Sequence, residues 1–113
     1  MTNDFYCDEV FSGRTQVRVI AETDNVLAFY HTRPFFEVHI VVVPKRHIAS
    51  LLTLKESDRE LFVELFDTVK RVALQLTVEK GAARVLTNLG EYQDSKHLHF
   101  HVYYGKQIRP DES

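Results

Sequence analysis

The sequence has one cysteine, no tryptophan and no long apolar run. Because Cys7 alone cannot form an internal disulfide, packing must hold the core together, which fits a reducing compartment. The longest purely aliphatic run spans residues 40–43, far below the ~20 residues of a membrane-spanning helix. Charged residues interrupt the N-terminal segment, so a secretory signal is not expected there. We therefore predict a cytoplasmic protein with no membrane association.

An excess of positive charge is also absent. The 14 Lys and Arg residues face 16 Asp and Glu residues, for a net charge of −2, which argues against the basic surface of a nucleic-acid-binding protein. A content of 44% hydrophobic and 27% charged residues is ordinary for a globular chain. The length of 113 residues and the lack of repeats or linkers predict one domain over residues 1–113, with a loose tail from about residue 107.

Five segments carry the apolar patterns of β-strands. The first alternates with a period of two, as expected for a strand buried on one face. The segment at residues 37–43 is nearly all apolar, which predicts a central strand covered on both faces. The five predicted strands are residues 15–21, 26–31, 37–43, 83–88 and 97–104.

Residues 55–80 carry apolar residues at spacings of three and four, the pattern of an amphipathic helix. Ser57 and Glu60 have the form of a capping box at its start, and Gly81 supplies a stop at its end. The whole pattern predicts an α+β fold, in which a mostly antiparallel five-stranded sheet packs against one long helix, with a short helix at the N-terminus. The expected buried stripe of the long helix comprises Leu61, Leu65, Phe66, Val69, Val72, Ala73 and Leu76.

Three histidines alternate with apolar residues in the segment HLHFHV at residues 97–102. Because successive side chains of a strand point to opposite faces, His97, His99 and His101 are expected on one face and the apolar side chains in the core. Three adjacent imidazoles add nothing to packing and disfavour one another's protonation. The pattern therefore indicates a functional site.

Two chemistries are open for these imidazoles. One is a metal site, but His97 and His101 would lie about 13 Å apart along a strand at ~3.3 Å per residue. One zinc ion could therefore collect only two of the three, with a further ligand from elsewhere. The other is a phosphate site, where a neutral imidazole attacks phosphorus and its neighbours donate hydrogen bonds to the phosphoryl oxygens. The spacing favours the phosphate site.

The segment HLHFHV resembles the signature of the histidine-triad (HIT) superfamily of nucleotidyl hydrolases and transferases. Three upstream segments are similar to family blocks in order and spacing: DNVLAFYHTRP at residues 24–34, HIVVVPKRHI at 39–48 and TNLGEYQ at 87–93. The resemblance implies a HIT-like fold that forms a homodimer, with the sheet continued across the two subunits. It also implies an activity like that of nucleoside phosphoramidases or dinucleoside polyphosphate hydrolases.

The resemblance assigns the catalytic roles to histidines. His99 matches the nucleophile that attacks the α-phosphorus, and His97 and His101 match the flanking histidines that orient it and contact the phosphate. His39 matches a fourth histidine that lies near the triad in many members.

The resemblance also implies a substrate pocket. Asn88 and Gln93 match polar residues that hold the phosphate and the leaving group, and Phe29 and Val41 match apolar positions of the nucleoside pocket. Two positions depart from the family pattern. His31 stands where many members have an aspartate that accepts hydrogen bonds from the ribose hydroxyls. Asp94 stands where many have a serine or threonine that donates to the phosphate, so either Ser95 beside it takes this role or the leaving group differs.

Some bacterial members hold a structural zinc ion with a Cys-x-x-Cys pair and two histidines. In this sequence the matching positions are Asp4, Cys7, His47 and His97, a mixed set that zinc accepts. The alternative is a vestigial segment in which Cys7 is a small buried hydrophobe. The reaction itself is expected to need no cofactor.

These observations predict a nucleotide-binding hydrolase or transferase. Its substrate would be a nucleotidyl conjugate (a phosphoramidate, acyl or polyphosphate compound) cleaved at the α-phosphate through a nucleotidyl-histidine intermediate. The alternative is a non-catalytic or weakly active nucleotide-binding or scaffold protein. The sequence names neither the nucleobase nor the leaving group.

Overall fold

The computed structural model describes residues 5–109 and contains five strands and one long helix. The strands are β1 (Val19–Glu22), β2 (Val26–Tyr30), β3 (Phe36–Pro44), β4 (Arg84–Leu86) and β5 (Phe100–Gln107). They form one sheet in the order β1-β2-β3-β5-β4, and every neighbouring pair is antiparallel. The predicted α+β fold is therefore confirmed.

The long helix α1 (Arg59–Lys80) lies on one face of the sheet. Four of the predicted stripe residues are buried: Leu65, Val69, Val72 and Leu76. Leu61 and Ala73 are partly buried against the same core. Phe66 was wrongly placed in this stripe: it is 53% exposed and lies at the margin of the core, where its ring stacks on that of Phe62.

The helix begins later than its apolar pattern predicts. Residues 56–58 form a short 3₁₀ turn, so the predicted Ser57–Glu60 capping box does not start the helix. Instead the Asp58 carboxylate accepts hydrogen bonds from the Lys55 backbone N–H (2.9 Å) and from the Arg46 guanidinium. The helix ends as predicted at Gly81, whose φ of 94° lies in the left-handed region that favours glycine.

The opposite face of the sheet is covered by the N-terminal segment. Residues Tyr6–Val10 form one turn of π-helix, which confirms the predicted short N-terminal helix. Tyr6 and Val10 pack there against residues of β2 and β3, including Phe29 and Val41. Because β3 is covered by α1 on one face and by this segment on the other, its continuous apolar sequence is explained.

Two strands begin three or four residues later than predicted. β1 starts at Val19 rather than at residue 15, and β5 starts at Phe100 rather than at residue 97. The segment before β5 is held differently, since the Leu98 N–H donates to the Ile48 carbonyl at 2.6 Å. At the other end β5 continues to Gln107, three residues beyond the prediction.

Within the part of the chain that is described, no helix has the length and apolar character needed to cross a membrane. The cytoplasmic location stays a prediction. The single domain over residues 1–113 and its loose tail also stay predictions, because residues 1–4 and 110–113 lie outside the described residues.

Candidate active site

The histidines meet on the sheet face that α1 does not cover. His101 of β5 pairs with Val41 of β3, and His39 pairs with Tyr103, so His39 and His101 share this face on neighbouring strands. His97 and His99 lie on the extended segment that leads into β5, and all four histidines are buried. The alternation predicted the faces correctly, because the intervening apolar residues belong to the core under α1. These core residues are Leu98, Phe100 and Val102.

A backbone carbonyl fixes the tautomer of His99. Its Nδ1 lies 2.7 Å from the carbonyl oxygen of His97. Since a carbonyl can only accept, Nδ1 carries the proton and the neutral ring has its lone pair on Nε2. The hydroxyl of Thr87 donates to the carbonyl oxygen of His99 at 2.7 Å and holds this part of the backbone from the β4 side. The contacts therefore prepare Nε2 of His99 as a nucleophile.

A backbone N–H fixes the tautomers of His39 and His101. The Phe35 N–H donates to His39 Nδ1 at 3.1 Å, so a neutral His39 carries its proton on Nε2. That nitrogen lies 2.8 Å from His101 Nδ1 and donates to it, which leaves a proton on His101 Nε2. Among the described side chains, His101 Nε2 is one of two buried polar atoms without a hydrogen-bond partner. A bound ligand can supply the acceptor for this buried donor.

Burial keeps two of the site histidines neutral. It lowers the pKa of His101 to about 2, and positive charge on His99, His39 or His31 would add to this effect. Burial likewise lowers the pKa of His31 to about 4, with further contributions from the charges of His99 and Arg109. Both rings therefore act as neutral hydrogen-bond donors at neutral pH.

His97 lies beneath this site and is fully buried. Its Nε2 donates to the Pro44 carbonyl at 2.7 Å, which leaves the lone pair on Nδ1, 3.7 Å from Cys7 Sγ. Ligand atoms of Cys7, His47 and His97 lie within 4.8 Å of one another. A histidine that donates to a carbonyl from its other nitrogen is typical of metal sites. These three residues fit the zinc site that the resemblance allows, and Asp4, its fourth residue, lies outside the described residues.

Ring nitrogens of His31, His39 and His101 also lie within 4.8 Å of one another. However, the Arg33 N–H donates to His31 Nδ1 at 3.0 Å, so His31, like the other two, carries its proton on Nε2. The Nδ1 lone pair of each ring is already occupied by a hydrogen bond. This group is therefore suited to donating hydrogen bonds and not to binding a metal ion.

A cavity of about 540 Å³ opens beside the nucleophile. The apolar side chains of its wall include three aromatic residues that the sequence analysis did not assign to a site: Phe5, Tyr6 and Phe35. The ring centroid of Tyr6 lies 5.2 Å from that of His99. Six of the predicted site residues line this cavity: Phe29, His31, Val41, Ser95, His99 and His101.

Asn88 and Gln93 do not line this cavity. Asn88 lines a smaller cavity of about 90 Å³ together with His39 and His101. Gln93 is buried, and its side-chain amide donates to the Ala49 carbonyl at 2.7 Å. Asp94 lines the larger cavity beside Ser95.

Comparison with known proteins places this geometry in a family. The family model described as the HIT domain matches residues 12–108. An uncharacterised HIT-like protein from Synechococcus elongatus is 31% identical over 109 residues, which cover 96% of each chain. A solved HIT family hydrolase from Clostridium thermocellum is 25% identical with a TM-score of 0.80, covering 100% of this chain and 99% of that one. Another from Legionella pneumophila is 27% identical with a TM-score of 0.78, covering 94% and 96%.

We expect the free energy of unfolding to fall between pH 7.5 and pH 5. The unfolded chain binds protons at His31 and His101 with a pKa near 6.5, whereas the folded chain binds them only near 4 and 2. The folded state therefore loses stability as the pH falls below 6.5, by about 2 kcal/mol for each residue at pH 5. Urea unfolding at both pH values measures the loss. His31→Asn should reduce it by about 2 kcal/mol, and an unchanged loss would contradict the assignment.

Proposed function

The chain belongs to the HIT domain family, and from that premise we propose that it is a nucleotide-binding hydrolase or transferase. It acts on the α-phosphate of nucleotidyl conjugates through a covalent nucleotidyl-histidine intermediate. The solved relatives from Clostridium thermocellum and Legionella pneumophila, both described as HIT family hydrolases, support a hydrolytic activity. The observation that carries the proposal is the pairing of a lone pair on His99 Nε2 with an N–H on His101 Nε2 beside one cavity.

In the first step the lone pair of His99 Nε2 forms a bond to the α-phosphorus. The bond from phosphorus to the leaving group breaks, and the leaving group takes the bonding electron pair and a proton from water in the open cavity. Ser95 lines that cavity and has a hydroxyl that can pass the proton. The N–H of His101 donates to a phosphoryl oxygen, whose negative charge grows as the new bond forms.

In the second step water attacks the same phosphorus and displaces His99. The bond from phosphorus to Nε2 breaks, and the nucleoside monophosphate leaves with the hydroxyl group of that water. The other proton of the water replaces the one given to the leaving group in the first step, and His99 returns to its neutral tautomer with the proton on Nδ1. In a transferase the attacking group is another nucleophile in place of water. His97 acts by positioning: its carbonyl oxygen holds the nucleophile, and its ring is anchored to Pro44.

The nucleoside would lie against the apolar side of the cavity. Phe29 and Val41 form the floor predicted from the sequence, and Tyr6 and Phe35 extend it with aromatic surface. Asn88, beside His101 in the smaller cavity, is a candidate for a phosphate contact.

Replacing the nucleophile tests the covalent step. His99→Gly should lower the hydrolysis of an adenylyl-amine by at least about 1,000-fold, since the residue forms the intermediate. Nucleotide binding should persist, because the apolar pocket remains. Rapid mixing of the unchanged protein with this substrate should give a burst of released amine. Gln75→Ala, on the exposed part of α1, is the matched control and should retain the burst.

Substantial turnover by purified His99→Gly would overturn the covalent mechanism. If the unchanged protein binds the nucleotide without a burst or steady release, the alternative function as a nucleotide-binding or scaffold protein replaces the proposed one.

A metal ion is not required by the proposed steps, because they use only His99, His101, Ser95 and water. Zinc held by Cys7, His47 and His97 would anchor the N-terminal segment to the loop after β3 and to the segment before β5. We expect treatment with a chelator to leave the burst unchanged, whether or not elemental analysis finds zinc in the purified protein. Zinc without loss of the burst would support this anchor. Stoichiometric zinc together with activity lost on chelation would contradict the metal-free steps.

We further propose a twofold homodimer in which the sheet continues across β4. This strand is a short edge, its Val85 is exposed, and α1 exposes Leu74 and Val78. Proteins cover or pair such edges, and a twofold axis pairs two copies at once. Light scattering at micromolar concentration should give twice the mass of one chain, and Leu74→Glu with Val78→Glu should halve it. Gln75→Glu, which adds one negative charge to the same helix without removing an apolar side chain, is the control. A constant monomer mass over a tenfold concentration range would refute the dimer.

A further inference from the structure

Building on the proposed function, we propose that His31 and Arg109 form a subsite for a second anionic group of the substrate. This group is distinct from the phosphate that reacts at His99. Its chemistry is that of a phosphoryl group, carried either on the sugar of the nucleotide or further along a polyphosphate chain.

The first observation is that two buried N–H donors have no hydrogen-bond partner among the described residues. Among the described side chains, two buried polar atoms lack a hydrogen-bond partner, and they are His101 Nε2 and Arg109 Nε. Both carry a proton, since the chain of hydrogen bonds from Phe35 places one on His101 Nε2 and an arginine Nε always has one. A buried donor without a partner costs free energy. Both donors are therefore suited to a ligand that only accepts, and an anion is such a ligand.

The second observation concerns the tautomer and orientation of His31. Its Nδ1 accepts from the Arg33 N–H, so its Nε2 is a donor. Its ring centroid lies 4.4 Å from that of His39 at an interplanar angle of 30°, and 6.1 Å from that of His101 at 22°. These contacts hold the ring in place. A carboxylate at this position would accept from sugar hydroxyls, whereas this imidazole donates.

The third observation is the charge around His31. The Ile108 N–H donates to the Phe35 carbonyl at 2.7 Å, and the ring centroid of Phe35 lies 5.5 Å from that of His31. This brings the neighbouring Arg109 close to His31, where its positive charge adds to burial in lowering the pKa of the ring. Asp94 lines the same cavity but is not among the groups that act on His31. A permanent guanidinium charge beside a neutral donor favours an anion over a neutral hydroxyl.

The spacing places this subsite next to the reacting phosphate. His99, His101 and His31 all line the cavity, and the ring of His101 lies 4.9 Å from His99 and 6.1 Å from His31. A phosphate bound by His99 and His101 is therefore near enough to His31 for a second group, a few bonds away on the same substrate, to reach this ring. The substrate would carry two anionic groups a few bonds apart.

Calorimetric titration of the full chain at pH 7.5 tests this subsite without turnover. The ligands are AMP, adenosine 3′,5′-bisphosphate and ADP, with the guanosine series in parallel. We expect one of the two doubly phosphorylated ligands to bind at least 10-fold more tightly than the monophosphate. A gain with the bisphosphate places the second group on the sugar, and a gain with the diphosphate places it in the chain.

Variants separate the subsite from general charge attraction. The quantity to compare is the dissociation constant of the monophosphate divided by that of the tighter-binding doubly phosphorylated ligand. Arg109→Gln should reduce this ratio to below 3, and His31→Asp should reduce it further, because a carboxylate repels the second phosphate. Arg71→Gln removes the same charge from an exposed position on α1 and should retain the ratio.

Three results would overturn the inference. Both doubly phosphorylated ligands could bind within twofold of the monophosphate, the ratio could survive Arg109→Gln and His31→Asp, or Arg71→Gln could reduce it equally. If no nucleotide binds, the inference falls together with the binding part of the proposed function. If nucleotides bind with the expected ratio but no burst occurs, the subsite stands and the proposed chemistry fails.

Discussion

The donation of the Phe35 N–H to His39 Nδ1 is the interaction on which the rest of the site depends. It forces the proton of His39 onto Nε2, and the 2.8 Å contact with His101 then forces the proton of His101 onto its own Nε2. The His97 carbonyl has the opposite effect on His99, because it requires a proton on Nδ1. One ring thus offers a lone pair and its neighbour an N–H, although both are imidazoles. This difference between His99 and His101 is what allows one to attack and the other to donate.

The sheet explains why these backbone groups are in place. The pairing of β3 with β5 puts His39 next to His101, and the cover on both faces of β3 removes water from both rings. Without that burial the two rings would protonate near pH 6.5 and the chain of donors would be lost. The apolar sequence of β3 therefore contributes to the chemistry as well as to stability.

The alternation of residues 97–102 was sufficient to predict which side chains face the core and which form the site. It was not sufficient to predict that the strand starts only at Phe100, because this depends on a hydrogen bond from Leu98 to the distant Ile48 carbonyl. The contact of Tyr6 with His99 was missed for a similar reason: the N-terminal segment has no periodic pattern that would place it over the sheet. Tautomers were also beyond the sequence, since they follow from individual backbone contacts. The stripe of α1 was predicted well at its centre and failed at Phe66, where the core ends.

Hydrogen bonds give similar side chains different functions in two groups of three residues whose ligand atoms lie close together. The first group is Cys7, His47 and His97, and the second is His31, His39 and His101. His97 donates to the Pro44 carbonyl and therefore keeps a lone pair on Nδ1, close to the sulfur of Cys7. His31 and His39 accept from backbone N–H groups and therefore offer protons. The first arrangement suits a cation and the second an anion, and both occur on one face of the same sheet. Proximity of imidazoles alone would not distinguish them. The direction of each backbone hydrogen bond does, because it decides whether the remaining nitrogen presents an electron pair or a proton.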